Sequence, residues 1–161
     1  MWGSIVGAKG RGERLHYGKV EHRNMKNRNL KHSDDWETPK AFLKKLDEEF
    51  HFDHDPCLLH GEGGLDGDWG ERNFINPPYS RKLKEAFVKK ALEQARDGRL
   101  CVMLLPVSTS TVLFHEHIQP NAKEIRFVRG RIKFAGYNSK GQYVTNKAPM
   151  HDSMVVVFDF S

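Results

Sequence analysis

The stretch Leu100–Leu105 is apolar at every position. A strand exposed on one face alternates apolar with polar residues, so an unbroken run reads as a central strand covered on both faces. Helical stripes on either side of it can provide the covers. Phe42, Leu43, Leu46 and Phe50 recur at helical spacing behind Thr38, which can cap a helix, and Pro39, which suits a first turn. Leu83, Phe87, Val88, Ala91, Leu92 and Ala95 form one stripe of a longer helix that Ser80 can cap and Gly98 can stop. Short strands are expected near His51 to Asp55, over Asn73 to Ile75, over Lys123 to Arg129 and over Ser153 to Phe160. A short helix is expected from Thr109 to Ile118, and a ribbon from Ile132 to Val144 turning at Asn138 to Gly141. There is no internal repeat. Alternating helix and strand signals of this kind predict a layered α/β domain.

With 161 residues the chain can bury a core without a disulfide framework, and its two cysteines, Cys57 and Cys101, supply neither a cross-linked scaffold nor a zinc quartet. The run Leu100 to Val107 is far shorter than the ~20 residues of a membrane span, and no apolar signal block opens the chain. The expectation is a cytoplasmic protein that touches no membrane. Charge is uneven. Residues 1–31 hold eight Lys/Arg against two Glu, whereas residues 32–161 hold 18 against 19 acids. Residues 1–32 are therefore expected to form a flexible basic arm that seeks phosphates, and residues 33–161 the folded domain. A solvated tail without a partner has the same composition.

The chemistry is most legible at Asn76-Pro77-Pro78-Tyr79, between a buried strand and a capped helix. Ligands of open α/β sheets collect at the carboxyl ends of strands, where this tetrapeptide is expected. The two prolines restrict the residues before them to extended geometry, turning the Asn76 amide and the Pro77 carbonyl outward as fixed acceptors. Two such acceptors can grip the hydrogens of an exocyclic amine and aim its lone pair at an electrophile, stabilising the charge that develops in the transition state. Tyr79 can stack on a flipped base. A proline-stiffened turn without chemistry is the bland alternative.

The tetrapeptide resembles the signature of amino-group methyltransferases that use S-adenosylmethionine, and its surroundings resemble the small bacteriophage DNA N6-adenine methyltransferases. Asp35-Trp36-Glu37-Thr38-Pro39 resembles that family's opening element beside the methionine part of the cofactor. Phe52-Asp53-His54-Asp55-Pro56-Cys57 resembles the end of its first strand, which holds the same cofactor, and Gly130-Arg131-Ile132-Lys133-Phe134 resembles a late Gly-Arg-x-x-Phe stretch. The resemblance implies a reduced Rossmann-like fold, with a mostly parallel sheet and an antiparallel closing strand. It implies methyl transfer to N6 of a flipped adenine in double-stranded DNA. Asn76, Pro77, Pro78 and Tyr79 would be catalytic. Trp36, Glu37, Thr38, Pro39, Asp55, Pro56 and Cys57 would hold the cofactor. Asp68 joins them through Gly64-Leu65-x-x-Asp68-Trp69, which resembles a family segment at the cofactor adenine, with Asp66 a second candidate there. Leu58 to Ile75 spans only 18 residues, too few for a full pair of βα units, so part of the usual cofactor wall is missing or supplied otherwise, and the acid for the ribose is unplaced, with Glu62 a candidate.

Other residues keep two readings. Asp55, an acid before proline, is a turn former or a partner for the cofactor's ammonium group, and Cys57 reads as a small packing residue. Arg129, Arg131 and Lys133 are nucleic-acid contacts or a solvated edge. No metal site is expected, because His115 and His117 point apart on a helix and His51 and His54 lack a partner motif. The same loop would serve a methyltransferase of RNA or of protein glutamine, and a DNA-binding module without catalysis remains a third class. Sequence leaves the recognised bases and the oligomeric state open.

Overall fold

The computed structural model describes residues 36–58, 64–137, 140–147 and 151–161. The expected arm over 1–32, together with Asp35 and Glu62, lies outside them. Helix α1 spans Lys40–Phe50, β1 Arg72–Ile75, α2 Arg81–Arg96, β2 Leu100–Pro106, β3 Glu124–Phe127, β4 Phe134–Tyr137, β5 Tyr143–Lys147 and β6 Ser153–Phe158. A single wide helical turn over Leu113–Ile118 takes the place of the short helix expected from Thr109.

The main sheet has the order β1-β2-β6-β3. Strands β1 and β2 are parallel, with Arg72 opposite Leu100 and Ile75 opposite Met103. Strand β6 runs antiparallel to both β2 and β3. Three of the four strands thus point the same way, as expected, but β6 is inserted between β2 and β3, so β1–β2 is the parallel ladder among them. The strand expected near His51 to Asp55 shrinks to one parallel bridge, His54 to Asn73. His51 instead terminates α1 in the left-handed region at φ 54°, its N–H donating to Asp47 O at 2.8 Å.

The apolar run behaves as its composition demands. Cys101, Met103 and Leu105 face one core with Phe87, Val88, Ala91, Leu92 and Ala95 of α2. Leu100, Val102 and Leu104 face a second core with Leu46 and Phe50 of α1. Strand β6 splits likewise, Met154, Val156 and Phe158 to the α2 side and Val155 and Val157 to the other. Alternation is present in the side-chain directions and invisible in the sequence because both faces are apolar. Helix α2 ends where expected, with Gly98 at φ 96°, a conformation that only glycine adopts without steric cost.

Both expected side-chain caps are absent: neither Thr38 nor Ser80 makes a capping hydrogen bond, and Pro39 and Ser80 occupy the capping positions of α1 and α2. The Thr38 hydroxyl is engaged elsewhere, as described below. Two buried polar side chains carried no signal in the sequence. Asn73, fully buried in β1, donates through Nδ2 to Gly70 O at 2.9 Å and Leu100 O at 3.0 Å and accepts from Gly70 N–H at 2.9 Å. Gln94 accepts from Trp69 N–H at 2.8 Å. These bonds fasten the loop before β1 to the edges of β1, β2 and α2.

Replacing Asn73 by Ala removes a partner from the buried Leu100 carbonyl and from the partly buried Gly70 carbonyl and N–H, so Asn73→Ala is expected to destabilise the fold by about 2–4 kcal/mol. Denaturant unfolding checks this, and a loss below 0.5 kcal/mol (roughly the noise for a surface change) contradicts it.

Candidate active site

Strand β1 stops at Ile75 and the backbone leaves the sheet through Asn76, Pro77 and Pro78. Proline cannot donate to a ladder, so the strand ends here. Next to it runs the short stretch bridged at His54, with Phe74 N–H donating to His54 O at 3.0 Å and Asp53 N–H to Arg72 O at 2.8 Å. Because the two segments are parallel, Asp55–Cys57 and Asn76–Tyr79 emerge at the same carboxyl edge.

The Asn76 amide is held at 2.7 Å from the Trp36 carbonyl oxygen and 3.1 Å from Thr38 Oγ1. A carbonyl oxygen can only accept, so the nitrogen of the amide must face Trp36, and both of its hydrogens are then in use. Its oxygen, Oδ1, is turned away from that pair as an acceptor. The holders are themselves held. Trp36 is buried among Phe52, Phe74, Ile132 and Phe134. Glu37 forms an antiparallel bridge with Ala135 of β4, N–H to O at 2.7 Å and 3.2 Å in the two directions. Its carboxylate accepts from the Tyr143 hydroxyl of β5 at 2.5 Å. Burial and that carboxylate raise the Tyr143 pKa above its usual range.

Asp55 Oδ1 accepts from Cys57 N–H at 2.9 Å, closing the turn that carries Pro56 and Cys57. The turn-forming role of Asp55 is therefore real, and it fixes the carboxylate at the edge beside Asn76. Cys57 packs against the α2-side core. Gly64 lies so close to this turn that a Cβ would stand 2.2 Å from Pro56 O, which only glycine permits. Asp68 sits elsewhere. Its carboxylate accepts from Gln94 Nε2 at 3.3 Å and lies 3.8 Å from Arg99. Arg99 precedes β2, so Asp68 occupies the amino edge of the sheet, opposite the edge that carries Asn76. Asp66 is exposed on the same loop, and Trp69 of that segment is a core residue whose Nε1 donates to Gly64 O at 2.7 Å.

Arg129, Arg131 and Lys133 are exposed between β3 and β4, Arg131 reaching Asp152 at 3.5 Å. His115 is exposed and His117 half-buried on the wide helical turn. Among the described residues no group of three His, Cys, Asp or Glu could hold a metal ion, and no helix is long and apolar enough to cross a membrane. A cavity of about 290 Å³ opens on the α2 face of the carboxyl edge, lined in part by Arg81, Lys84, Pro106, Ser108 and Thr111.

Tyr79 is half-buried. Its ring meets Phe134 at 6.2 Å between centroids with an 87° interplanar angle, and His151 at 5.4 Å with 74°. Neither neighbour was foreseen, and no local pattern points to them. The Tyr79 hydroxyl is buried without a hydrogen-bond partner among the described residues, and burial pushes its pKa up to about 12. An unpaired buried hydroxyl costs about 1–3 kcal/mol. Tyr79→Phe keeps the ring and removes that cost, so its melting temperature is expected to rise by about 2–4 °C per kcal/mol recovered. A melting temperature below that of the parent would mean that the hydroxyl is bonded in the folded chain.

One edge of the sheet thus carries the held Asn76 amide and, on the neighbouring parallel segment, the Asp55 turn. Comparison with known proteins bears on the family. The family model for DNA N-6-adenine-methyltransferase (Dam) matches residues 26–160, beginning inside the segment expected to be an arm. A DNA N-6-adenine-methyltransferase of Escherichia phage T1 is 38% identical over 86 residues, 52% of this chain. The aligned part covers 32% of that relative, so the match spans about a third of its length. No solved structure matches. With the family model covering most of its length, this chain belongs to the DNA N-6-adenine-methyltransferase (Dam) family.

Proposed function

We propose that the chain is an S-adenosylmethionine-dependent methyltransferase of Rossmann-like fold that methylates N6 of an adenine flipped out of double-stranded DNA. The observation that carries this reading is the orientation of Asn76, whose amide hydrogens are spent on Trp36 and Thr38. Parallel strand ends meeting at one edge, with an antiparallel strand inserted in the sheet, support the fold assignment. Adenine's amino nitrogen is a poor nucleophile while its lone pair is delocalised into the ring. With Asn76 Oδ1 accepting one N–H and the Pro77 carbonyl the other, the nitrogen becomes pyramidal and its lone pair is aimed. Pro78 stiffens the loop. Tyr79 supports the face of the base, at a cost in unstacking that the enzyme recovers by binding.

The donor set fits a cationic amino-acid cofactor: the edge offers the Asp55 carboxylate, fixed by its own turn, and the outward oxygen of Asn76. S-adenosylmethionine, when bound, supplies an electrophilic methyl group on a sulfonium. Asp55 would pair with its ammonium group, with Pro56 and Cys57 shaping the turn and Trp36, Glu37, Thr38 and Pro39 lining the methionine side. Asp68 itself lies with Gln94 and Arg99 at the opposite edge of the sheet, although Gly64 at the start of the same family segment packs against Pro56, so Asp68 is left out of this grouping. Thr38 is a positioning residue, acting through Asn76. The alkylated nitrogen becomes acidic and loses its proton to water, so no strong general base is required. Alignment supplies most of the rate. Arg129, Arg131 and Lys133 would contact DNA phosphates, as would the basic residues of 1–32. The workplace is then the cytoplasm of a bacterial host.

Incubation of the chain with duplex DNA and labelled cofactor, followed by digestion to nucleosides, is expected to yield N6-methyladenine. Label in RNA or in glutamine side chains instead would refute the DNA assignment. In the same assay Asn76→Ala should lose at least about 10²-fold in rate, the scale of one removed oxyanion-type contact, with cofactor affinity kept. Thr38→Val should lower kcat by about tenfold, the equivalent of one neutral hydrogen bond, and Thr38→Ser should restore it. A Thr38→Val enzyme with unchanged kcat would remove the positioning role.

A further inference from the structure

Between Phe127 and His151 the chain carries five Lys/Arg and no Asp or Glu. The rest of residues 32–161 holds thirteen Lys/Arg against nineteen acids. All the basic charge that the body can spare is therefore concentrated on the hairpin β4–β5 and its approach. That hairpin is a two-stranded sheet of its own, outside the main sheet. One side anchors it: Phe134 and Gly136 are buried, and Val144 packs against the α1-side core. The residues on the other side and toward the turn, among them Lys133, Lys140, Gln142, Thr145 and Asn146, are exposed. They are amides, a hydroxyl and cations, the side chains that hydrogen-bond base edges and phosphates.

The attachment of the hairpin is equally specific. Ala135 of β4 exchanges both backbone hydrogen bonds with Glu37, and the residues on either side of Glu37 are the two that hold the Asn76 amide. The Tyr143 hydroxyl of β5 adds a third tie to the Glu37 carboxylate. The hairpin and the catalytic asparagine are thus fixed to one three-residue segment, so anything the hairpin grips stands at a set distance from the reacting amine. A two-stranded ribbon also fits a B-DNA major groove, which is about 12 Å wide.

We propose that the β4–β5 hairpin is the sequence-reading element of this enzyme, laid in the major groove of duplex DNA with Lys133 and Lys140 on phosphates and Gln142 and Asn146 at base edges. The inference rests on the reading of the chain as a DNA methyltransferase. A charged edge that merely discourages sheet-to-sheet association is the competing explanation.

Two double variants of the full chain separate these. Gln142→Ala with Asn146→Ala is expected to keep the salt dependence of DNA binding while its discrimination between methylated sites falls by tenfold or more, on the order of one lost base contact. Lys133→Ala with Lys140→Ala is expected to weaken binding to every sequence, and to reduce the slope of log affinity against log salt by about two. The measurements are sequencing of methylated adenines across a random-sequence duplex pool and titration at several salt concentrations, with melting curves confirming that both variants fold. If the parent methylates DNA and both variants keep its site preference and salt slope, the hairpin does not touch DNA and the inference fails alone. A parent that methylates no duplex brings down the underlying reading first.

Discussion

Two hydrogen bonds from one carboxamide organise the functional end of this protein. An asparagine at the end of a strand can point either its oxygen or its nitrogen outward, and the two choices have opposite chemistry. Here the Trp36 carbonyl at 2.7 Å settles the matter, because it can accept and never donate, and Thr38 Oγ1 at 3.1 Å takes the second hydrogen. What remains is an acceptor whose direction is fixed before anything approaches it, which is what the proposed role of Asn76 requires.

That arrangement depends on packing far from the loop. Trp36 is placed by the α1-side core and Glu37 by the backbone of β4, so the holders of Asn76 cannot shift without disturbing the sandwich. The sandwich in turn depends on β2, whose alternate residues serve two different cores. Burying a large apolar side chain is worth about 1.5–3 kcal/mol, and β2 does this on both faces along most of its length.

The signals that could be read were the local ones. Periodicity located both long helices and the central strand to within a residue or two, since each is stabilised by a face that repeats along the chain. Shorter elements blurred: His51 to Asp55 became a single bridge, and the helix from Thr109 became one wide turn, because neither has enough periodic residues to outweigh its surroundings. Thr38 looked like a cap because it precedes a helix. It serves Asn76 instead, 38 positions away, and no window of sequence contains that pairing. The surroundings of Asp68 were illegible for the same reason, since its neighbours Gln94 and Arg99 are brought to it by the fold.

Sequence alone determined the layered α/β architecture and which functional groups stand at the strand end, because an all-apolar run demands two covers and an Asn-Pro-Pro-Tyr loop both ends a strand and supplies an amide and stiffened carbonyls there. Tertiary structure decided which way the amide faces, which acids share its edge of the sheet, and that the basic hairpin and the Asn-Pro-Pro-Tyr loop hang from the same three residues. Those are contacts between segments distant in the chain, and their geometry exists only once both cores have closed.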